Sequence, residues 1–346
     1  MIRTDEYGYE KIVAPLLLWY GENKRDLPWR HDPTPYRVWV SEIMLQQTRV
    51  EAAKEYYLRF LSALPTVQDL AACEEEKLLK LWEGLGYYSR VRNMQKAAKI
   101  VVEKYQGNFP QTEKELKNLP GIGDYTVGAI RSIAFHKRAP AVDGNVFRVL
   151  SRISANASDI SEPAYRAFLK EKLQKVYPEE GVRCSDFTQA LMELGATVCK
   201  PSSPDCALCP LQNLCKAKEE GAVEKYPVLP EKKAKRVEQV AVFFIRTPKG
   251  IAVRKREGGI LKGMNELPSM IAGESAPQEM LLAMGVKEFE IERERKFTHI
   301  FTHIKWEMTC YYVSALTCPF PVYTAEQIRE EISLPTAFKQ CLEGEV

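Results

Sequence analysis

The sequence predicts two domains, a mainly α-helical N-terminal region and a smaller α+β domain. Three observations carry this. The chain has 346 residues and 45% hydrophobic content, more than one ordinary domain needs and enough to fill two cores. Apolar residues recur at helical spacing from about residue 5 to residue 198, and near Val237 the pattern changes to short strand-like runs. Between them lies a connector, residues 216–236, with seven basic and four acidic residues, Pro227 and Pro230, ending Lys232-Lys233-Ala234-Lys235-Arg236. The expected boundaries are therefore 1–215, 216–236 and 237–346.

Residues 5–21 read as an amphipathic helix with Ile12, Val13, Leu16, Leu17 and Tyr20 inward, broken by Asp26-Leu27-Pro28-Trp29-Arg30. Arg25, Trp29 and Arg30 interleave cations with an aromatic, a grouping that can stack on and hydrogen-bond a nucleobase. Thr34-Pro35 supplies an N-cap and a first-turn proline for the helix Tyr36 to Leu45. Glu42 sits on it among Trp39, Ile43, Met44 and Leu45; desolvation there raises a carboxyl pKa and makes it a candidate general acid. Thr48 and Glu51 are expected to form a capping box for the helix over 49–62, leaving Gln47 free to meet a ligand. Another helix is expected over about 67–83. Gly84-Leu85-Gly86-Tyr87-Tyr88 then makes a tight turn displaying an aliphatic and two aromatics, suited to filling space left by an unstacked base. The helix Ser89 to Tyr105 follows.

Thr112 and Glu115 form a capping box that starts a short helix, and Leu119-Pro120-Gly121-Ile122-Gly123 follows. Gly121 and Gly123 can take positive φ and carry no side chain, so backbone N–H groups can approach an anion such as a nucleic-acid phosphate. Asp124 is expected to cap the next helix, with Val127, Ile130, Ile133 and Ala134 inward. After His136-Lys137-Arg138 comes Val142-Asp143-Gly144-Asn145-Val146, which puts Asp143 at the start of an amphipathic helix whose dipole favours an anion. Helical patterns return over 163–177 and 185–198, the second with Gln189 beside its core face. Cys199-x6-Cys206-x2-Cys209-x5-Cys215 then gathers four thiols in a proline-interrupted loop. That spacing supports a metal site; zinc and a [4Fe–4S] cluster both accept four thiolates.

In the second domain, strands are expected over 237–246, 251–256, 289–298 and 304–315, with short helices over 277–283, 325–332 and 336–342. The outline resembles nudix hydrolases. After Gly263-Met264-Asn265-Glu266-Leu267-Pro268, however, the chain lacks the carboxylate-rich helix that would hold magnesium for nucleotide hydrolysis.

Net charge is +3 with pI near 8.2, which is neutral on partners. The early apolar run Ala14 to Tyr20 is too short to span a bilayer and no signal-peptide pattern opens the chain, so a soluble, cytoplasmic protein is expected. Nine cysteines in such a compartment favour metal binding over a disulfide framework.

LPGIG followed by VDGNV, with SEIMLQQT, GLGYYSRVRN and the four-cysteine loop, resembles the helix-hairpin-helix DNA glycosylases, and the details resemble their adenine-removing branch. The resemblance covers nearly the whole chain. It implies a [4Fe–4S] cluster on Cys199, Cys206, Cys209 and Cys215. It also implies removal of adenine mispaired with 8-oxoguanine or guanine in double-stranded DNA, by a monomer that acts without a membrane. Glu42 would protonate adenine at N7 and Asp143 would stabilise the oxocarbenium-like sugar, with Tyr125 and Asn145 positioning that carboxylate and the nearby phosphate. Arg25, Trp29, Arg30, Leu45 and Gln189 would line the adenine pocket. Gln47, Thr48, Leu85 and Tyr87 would meet the duplex, Leu85 and Tyr87 as the wedge, with Arg90 and Arg92 near phosphates. Phe301-Thr302-His303 stands where the family has a Phe-Ser-His turn that inspects the opposite base; Thr302 keeps the hydroxyl, while Asn265 replaces a common tryptophan. Strand-cleaving, endonuclease III-like relatives carry a lysine where this chain has Tyr125, which argues against lyase activity. The joint presence of Glu42 and Asp143 argues against a purely lesion-binding protein.

Overall fold

The computed structural model describes residues 7–230, 234–273 and 275–345. Its helices, in chain order, are α1 (Val13–Asn23), α2 (Pro35–Leu45), α3 (Val50–Ala63), α4 (Val67–Ala72), α5 (Glu75–Leu81), α6 (Ser89–Tyr105), α7 (Glu113–Lys117), α8 (Asp124–Ala129), α9 (Gly144–Ser154), α10 (Pro163–Val176), α11 (Val182–Thr197) and α12 (Lys216–Glu219). Strands β1 (Arg236–Thr247), β2 (Gly250–Ala252), β3 (Arg254–Lys255), β4 (Asn265–Glu266) and β5 (Ser269–Ile271) follow. After α13 (Pro277–Ala283) come β6 (Phe289–Ile300), β7 (Ile304–Ala315), β8 (Val322–Tyr323), α14 (Ala325–Glu330) and α15 (Thr336–Lys339). No described helix is long and apolar enough to cross a membrane.

By compactness the chain forms two units, 1–72 with 93–231, and 73–92 with 232–346. Sequence spacing had placed 73–92 in the first domain and 216–236 between domains. Residues 216–230 instead pack with the first unit, where Asp159 and Val228 form a parallel bridge. Glu231, Lys232 and Lys233 of the connector lie outside the described residues, as do the first two residues of the expected 5–21 helix.

In the first unit, Ile12, Leu16 and Tyr20 pack against Val146, Val149, Leu150 and Ile153 of α9 and Phe187, Leu191 and Leu194 of α11. This core joins the element bearing Asp143 to the elements bearing Arg25 and Gln189. The expected 67–83 helix is two helices. Glu74 is extended (φ −64, ψ 140) and caps α5, whose first turn carries Glu75 and Glu76, charges suited to a helix N-terminus.

In the second unit β1 is central. It runs parallel to β7 from Arg236↔Ile304 to Arg246↔Ser314 and antiparallel to β2 and β5, in the order β6-β7-β1-β2-β8. Val240, Val242 and Phe244 face one core with Trp306, Met308 and Phe338. Ala241, Phe243 and Ile245 face another with Leu281 and Val313. Burial on both faces explains why β1 reads as a nearly continuous apolar run. The expected 251–256 strand is divided into β2 and β3, and β3 pairs with β4 in a separate two-stranded sheet.

Candidate active site

A cleft of about 1080 Å³ opens in the first unit, lined by Arg25, Trp29, Arg30, Glu42, Leu45, Gln47, Thr48, Tyr125, Asp143, Asn145 and Gln189. All eleven are residues the sequence singled out, brought together from five separate stretches of chain.

Glu42 is carried on α2, which Thr34 caps through Arg37 N and Pro35 opens. It is 5% exposed. Burial pushes its carboxyl up to about 7, the nearby Asp143 charge adds to this, and a hydrogen bond from Tyr125 and the charge of Arg30 oppose it. Tyr125 Oη donates to Glu42 Oε2. The phenol's own pKa is raised well above normal by burial and by both carboxylates, so it remains a donor. Tyr125 therefore positions Glu42, whereas the resemblance had implied Asp143. With Oε2 engaged, Oε1 is left to carry a transferable proton.

Asp143 is the N-cap of α9. Its Oδ1 accepts from Val146 N at 2.8 Å and its Oδ2 from Asn145 Nδ2 at 2.8 Å. Burial raises its pKa, and the bonds from Val146 and Asn145 and the charge of Arg148 counter that. One site thus holds two carboxylates in different surroundings. Glu42 is desolvated with one neutral donor, while Asp143 sits on a helix N-terminus with donors aimed at its charged form. Arg148 extends the chain of contacts, donating to Asn145 Oδ1, Gly195 O and Cys199 O, each at 2.8 Å. A Cβ on Gly195 would lie 2.6 Å from Asn145 Cβ, so α11 can approach α9 here only through glycine.

The opposite wall contains a residue the sequence reading missed. Glu193, 1% exposed on α11, accepts from Arg25 N, Nε and Nη2 at 3.0, 2.7 and 3.0 Å and from Arg30 Nη2 at 2.8 Å. Burial opposes its charge, but the hydrogen bonds from Arg25 and Arg30 outweigh it and hold its pKa below normal. Its spacing from Gln189, one helical turn, was the available signal. Trp29 is buried edge-on against Tyr57. Gln47 is exposed at φ 61. Thr48 does not cap α3: Arg49 holds that position without a side-chain bond, and the buried Thr48 Oγ1 has no hydrogen-bond partner in the structure.

At the hairpin only Gly121 has positive φ (78). Gly123 is extended (φ −95, ψ −179) and is itself the N-cap of α8, so Asp124 is the first helical residue and pairs with Lys117 at 2.5 Å. Both glycines are exposed. Thr112 caps α7 as expected, accepting from Glu115 N at 3.3 Å.

The glycine-turn candidates and Phe301-Thr302-His303 fall in the second unit. Leu85 is 7% exposed, too buried to serve as a wedge, whereas Tyr87 is 47% exposed at φ 47. Tyr87 Oη and Thr302 Oγ1 are hydrogen-bonded at 2.8 Å. With Phe301 and His303 they line a cavity of about 560 Å³. Arg90 Nη2 donates to Leu85 O and Gly86 O, and its guanidinium lies over Trp82 and Tyr87; Arg92 binds Glu75, Lys262 O and Gly263 O. Both arginines, expected near phosphates, brace this loop. Asn265 is buried and donates to Ser333 O and Glu76 Oε2.

Cys199, Cys206, Cys209 and Cys215 line one small cavity and none is disulfide-bonded. Among the described residues, no three His, Cys, Asp or Glu side chains are gathered closely enough to hold a single metal ion. Burial pushes Cys209 up to about 12, with the sulfurs of Cys199, Cys215 and Cys206 adding to it. Arg152 Nη1 donates to Cys199 Sγ at 3.3 Å.

Residues 40–175 match the HhH-GPD superfamily of base excision DNA repair proteins and residues 241–344 a NUDIX domain. The adenine DNA glycosylase of Schizosaccharomyces pombe is 32% identical over 88% of this chain and 82% of its own length. That of Mus musculus is 35% identical over 88% and 70%, and that of Arabidopsis thaliana 39% identical over 86% and 56%. The chain spans about half the length of the Arabidopsis relative. A thermostable thymine-DNA glycosylase superposes with TM-score 0.54 at 29% identity, covering 61% of this chain and 97% of its own. Endonuclease III in a non-covalent DNA complex gives 0.51 at 25%, covering 61% and 97%.

Proposed function

The chain belongs to the adenine DNA glycosylase family, and on that premise we propose that it hydrolyses the N-glycosidic bond of adenine mispaired with 8-oxoguanine or guanine in duplex DNA. The observation that carries this reading is the pairing, in one cleft, of a buried carboxyl titrating near 7 with a second carboxylate held by donors at a helix N-terminus. Glycosidic cleavage asks for both, a proton for the departing base and a negative charge beside the cationic sugar. Glu42, protonated on Oε1 and held through Oε2 by Tyr125, delivers the proton to the base. Asp143, held by Val146 N–H and Asn145, faces the sugar. No lysine occupies the Tyr125 position, which supports hydrolysis without strand cleavage.

In the same reading Tyr87 enters the base stack, and Thr302 and His303 read the base opposite adenine. The four thiols would hold a [4Fe–4S] cluster; the donor set fits, being all sulfur, lining one cavity, free of disulfides and backed by Arg152. Arg148 ties this loop to Asn145, and a cluster there would brace it. Glu42→Gln and Asp143→Asn should each reduce single-turnover adenine release at least about 100-fold while duplex affinity is kept. Near-normal turnover by either variant would overturn the assignment.

A further inference from the structure

Ser185, Gln189 and Glu193 stand at successive turns of α11 and give a hydroxyl, an amide and a carboxylate in line, the last two on the wall of the cleft. Arg30 Nε lies 3.1 Å from Gln189 Oε1, and Gln189 Nε2 lies 3.0 Å from Ser185 Oγ. A guanidinium has donors only, so the atom that Gln189 turns toward Arg30 must be its oxygen, and its nitrogen must face Ser185. Arg30 cannot turn away, because Nη1 is fixed on Arg25 O at 2.8 Å and Nη2 on Glu193 at 2.8 Å. Glu193 in turn is buried and clamped by Arg25 through three further bonds.

This matters because an unrestrained glutamine reads two kinds of base. With its oxygen and nitrogen in one order, it complements the amine donor and ring acceptor of a 6-aminopurine. Flipped, it complements the carbonyl acceptor and ring N–H of a 6-oxopurine. Flipping Gln189 here would set its NH2 group against the Arg30 guanidinium, replacing a charge-assisted bond with two opposed donors.

We propose, building on the adenine reading, that Glu193 is a positioning residue that, by holding Arg30 against the Gln189 oxygen, locks the Gln189 amide in one direction. The cleft thereby accepts a 6-aminopurine and rejects a 6-oxopurine. Glu193 need not touch the base, since it acts through Arg30; the Ser185 hydroxyl, which can accept or donate, holds the amide without choosing its direction.

The test is single-turnover base release by the full chain from matched duplexes carrying adenine or hypoxanthine opposite 8-oxoguanine. The wild type should strongly prefer adenine. Glu193→Gln should narrow the adenine-to-hypoxanthine rate ratio by about tenfold, the scale of one charge-assisted hydrogen bond, and Ser185→Ala, which removes a hydroxyl able to serve either orientation, should keep the wild-type ratio. Glu193→Gln should lower the ratio more than it lowers adenine release itself. Equal slowing on both bases by Glu193→Gln, with the wild-type ratio kept, would mean a merely structural role and would overturn the lock, as would a wild type that shows no preference. If Glu193→Gln does not fold, Glu193→Asp, which keeps the charge but shortens its reach to Arg30, decides by the same criterion. A folded wild type that releases adenine from no duplex would instead overturn the glycosylase reading.

Discussion

Replacing Glu42 by glutamine should stabilise the protein in alkaline solution while removing its activity. The Glu42 pKa lies at about 7 in the folded chain against an ordinary 4.5, because burial disfavours the charged form. A raised carboxyl pKa means that the folded state binds the proton more tightly than the unfolded state. The corresponding stability is fully present below 4.5 and is lost as pH rises through 7. The span from 4.5 to 7, at 1.36 kcal/mol per unit, sets a ceiling of about 3 kcal/mol, of which roughly 2 should be lost between pH 5 and pH 8.5. Glutamine does not ionise, and its carbonyl can still accept from Tyr125, so the variant escapes this loss. Urea unfolding of both proteins at pH 5 and 8.5 measures it. The stability of Glu42→Gln relative to wild type should rise by about 2 kcal/mol across that interval. A gap that stays constant, or that moves against the variant as pH rises, would show that Glu42 is not held protonated by burial, and the general-acid assignment would lose its physical basis.

Gly195→Ala places a Cβ 2.6 Å from Asn145 Cβ; the resulting shift of Asn145 away from Asp143 should slow adenine release by about 100-fold in single turnover, with duplex affinity little changed. Combined Thr302→Ala and His303→Ala should erode the preference for 8-oxoguanine over guanine opposite adenine by about 1–3 kcal/mol, read as the ratio of single-turnover rates on the two duplexes; an unchanged ratio would assign lesion reading elsewhere. Protein produced with iron available should carry about four irons per chain by metal analysis, and stoichiometric zinc would refute the cluster assignment.

Most of the cleft was legible because its residues lie in short, chemically unusual stretches. An acid embedded in an apolar helix marked Glu42, and an acidic turn before an amphipathic helix marked Asp143. Contacts between distant stretches were less readable. Tyr125 lies 83 residues from Glu42, and spacing alone cannot say which carboxylate its phenol meets. Glu193 looked like one more helical glutamate until Arg25 and Arg30, more than 160 residues away, were seen to converge on it. The Thr48 cap failed for a local reason, since Arg49 takes the extended N-cap conformation (φ −68, ψ 142) and the helix begins one residue later than the motif places it. In the second unit, β1 and β7 were plain from their apolar runs. The division of residues 251–256 was not, because it depends on β3 pairing with β4 rather than with the main sheet. Leu85 and Tyr87 share a turn, and only the folded backbone, which puts Tyr87 at φ 47, decides which of them faces outward.

The central claim is tested most directly by incubating the purified chain with duplexes that hold adenine opposite 8-oxoguanine, guanine, cytosine or thymine, and scoring base loss with and without alkali and with borohydride present. The account predicts adenine release opposite 8-oxoguanine and guanine, strand breaks only after alkali, and little covalent complex trapped by borohydride. Release of adenine from none of the four duplexes, or efficient trapping with strand cleavage before alkali, would contradict it.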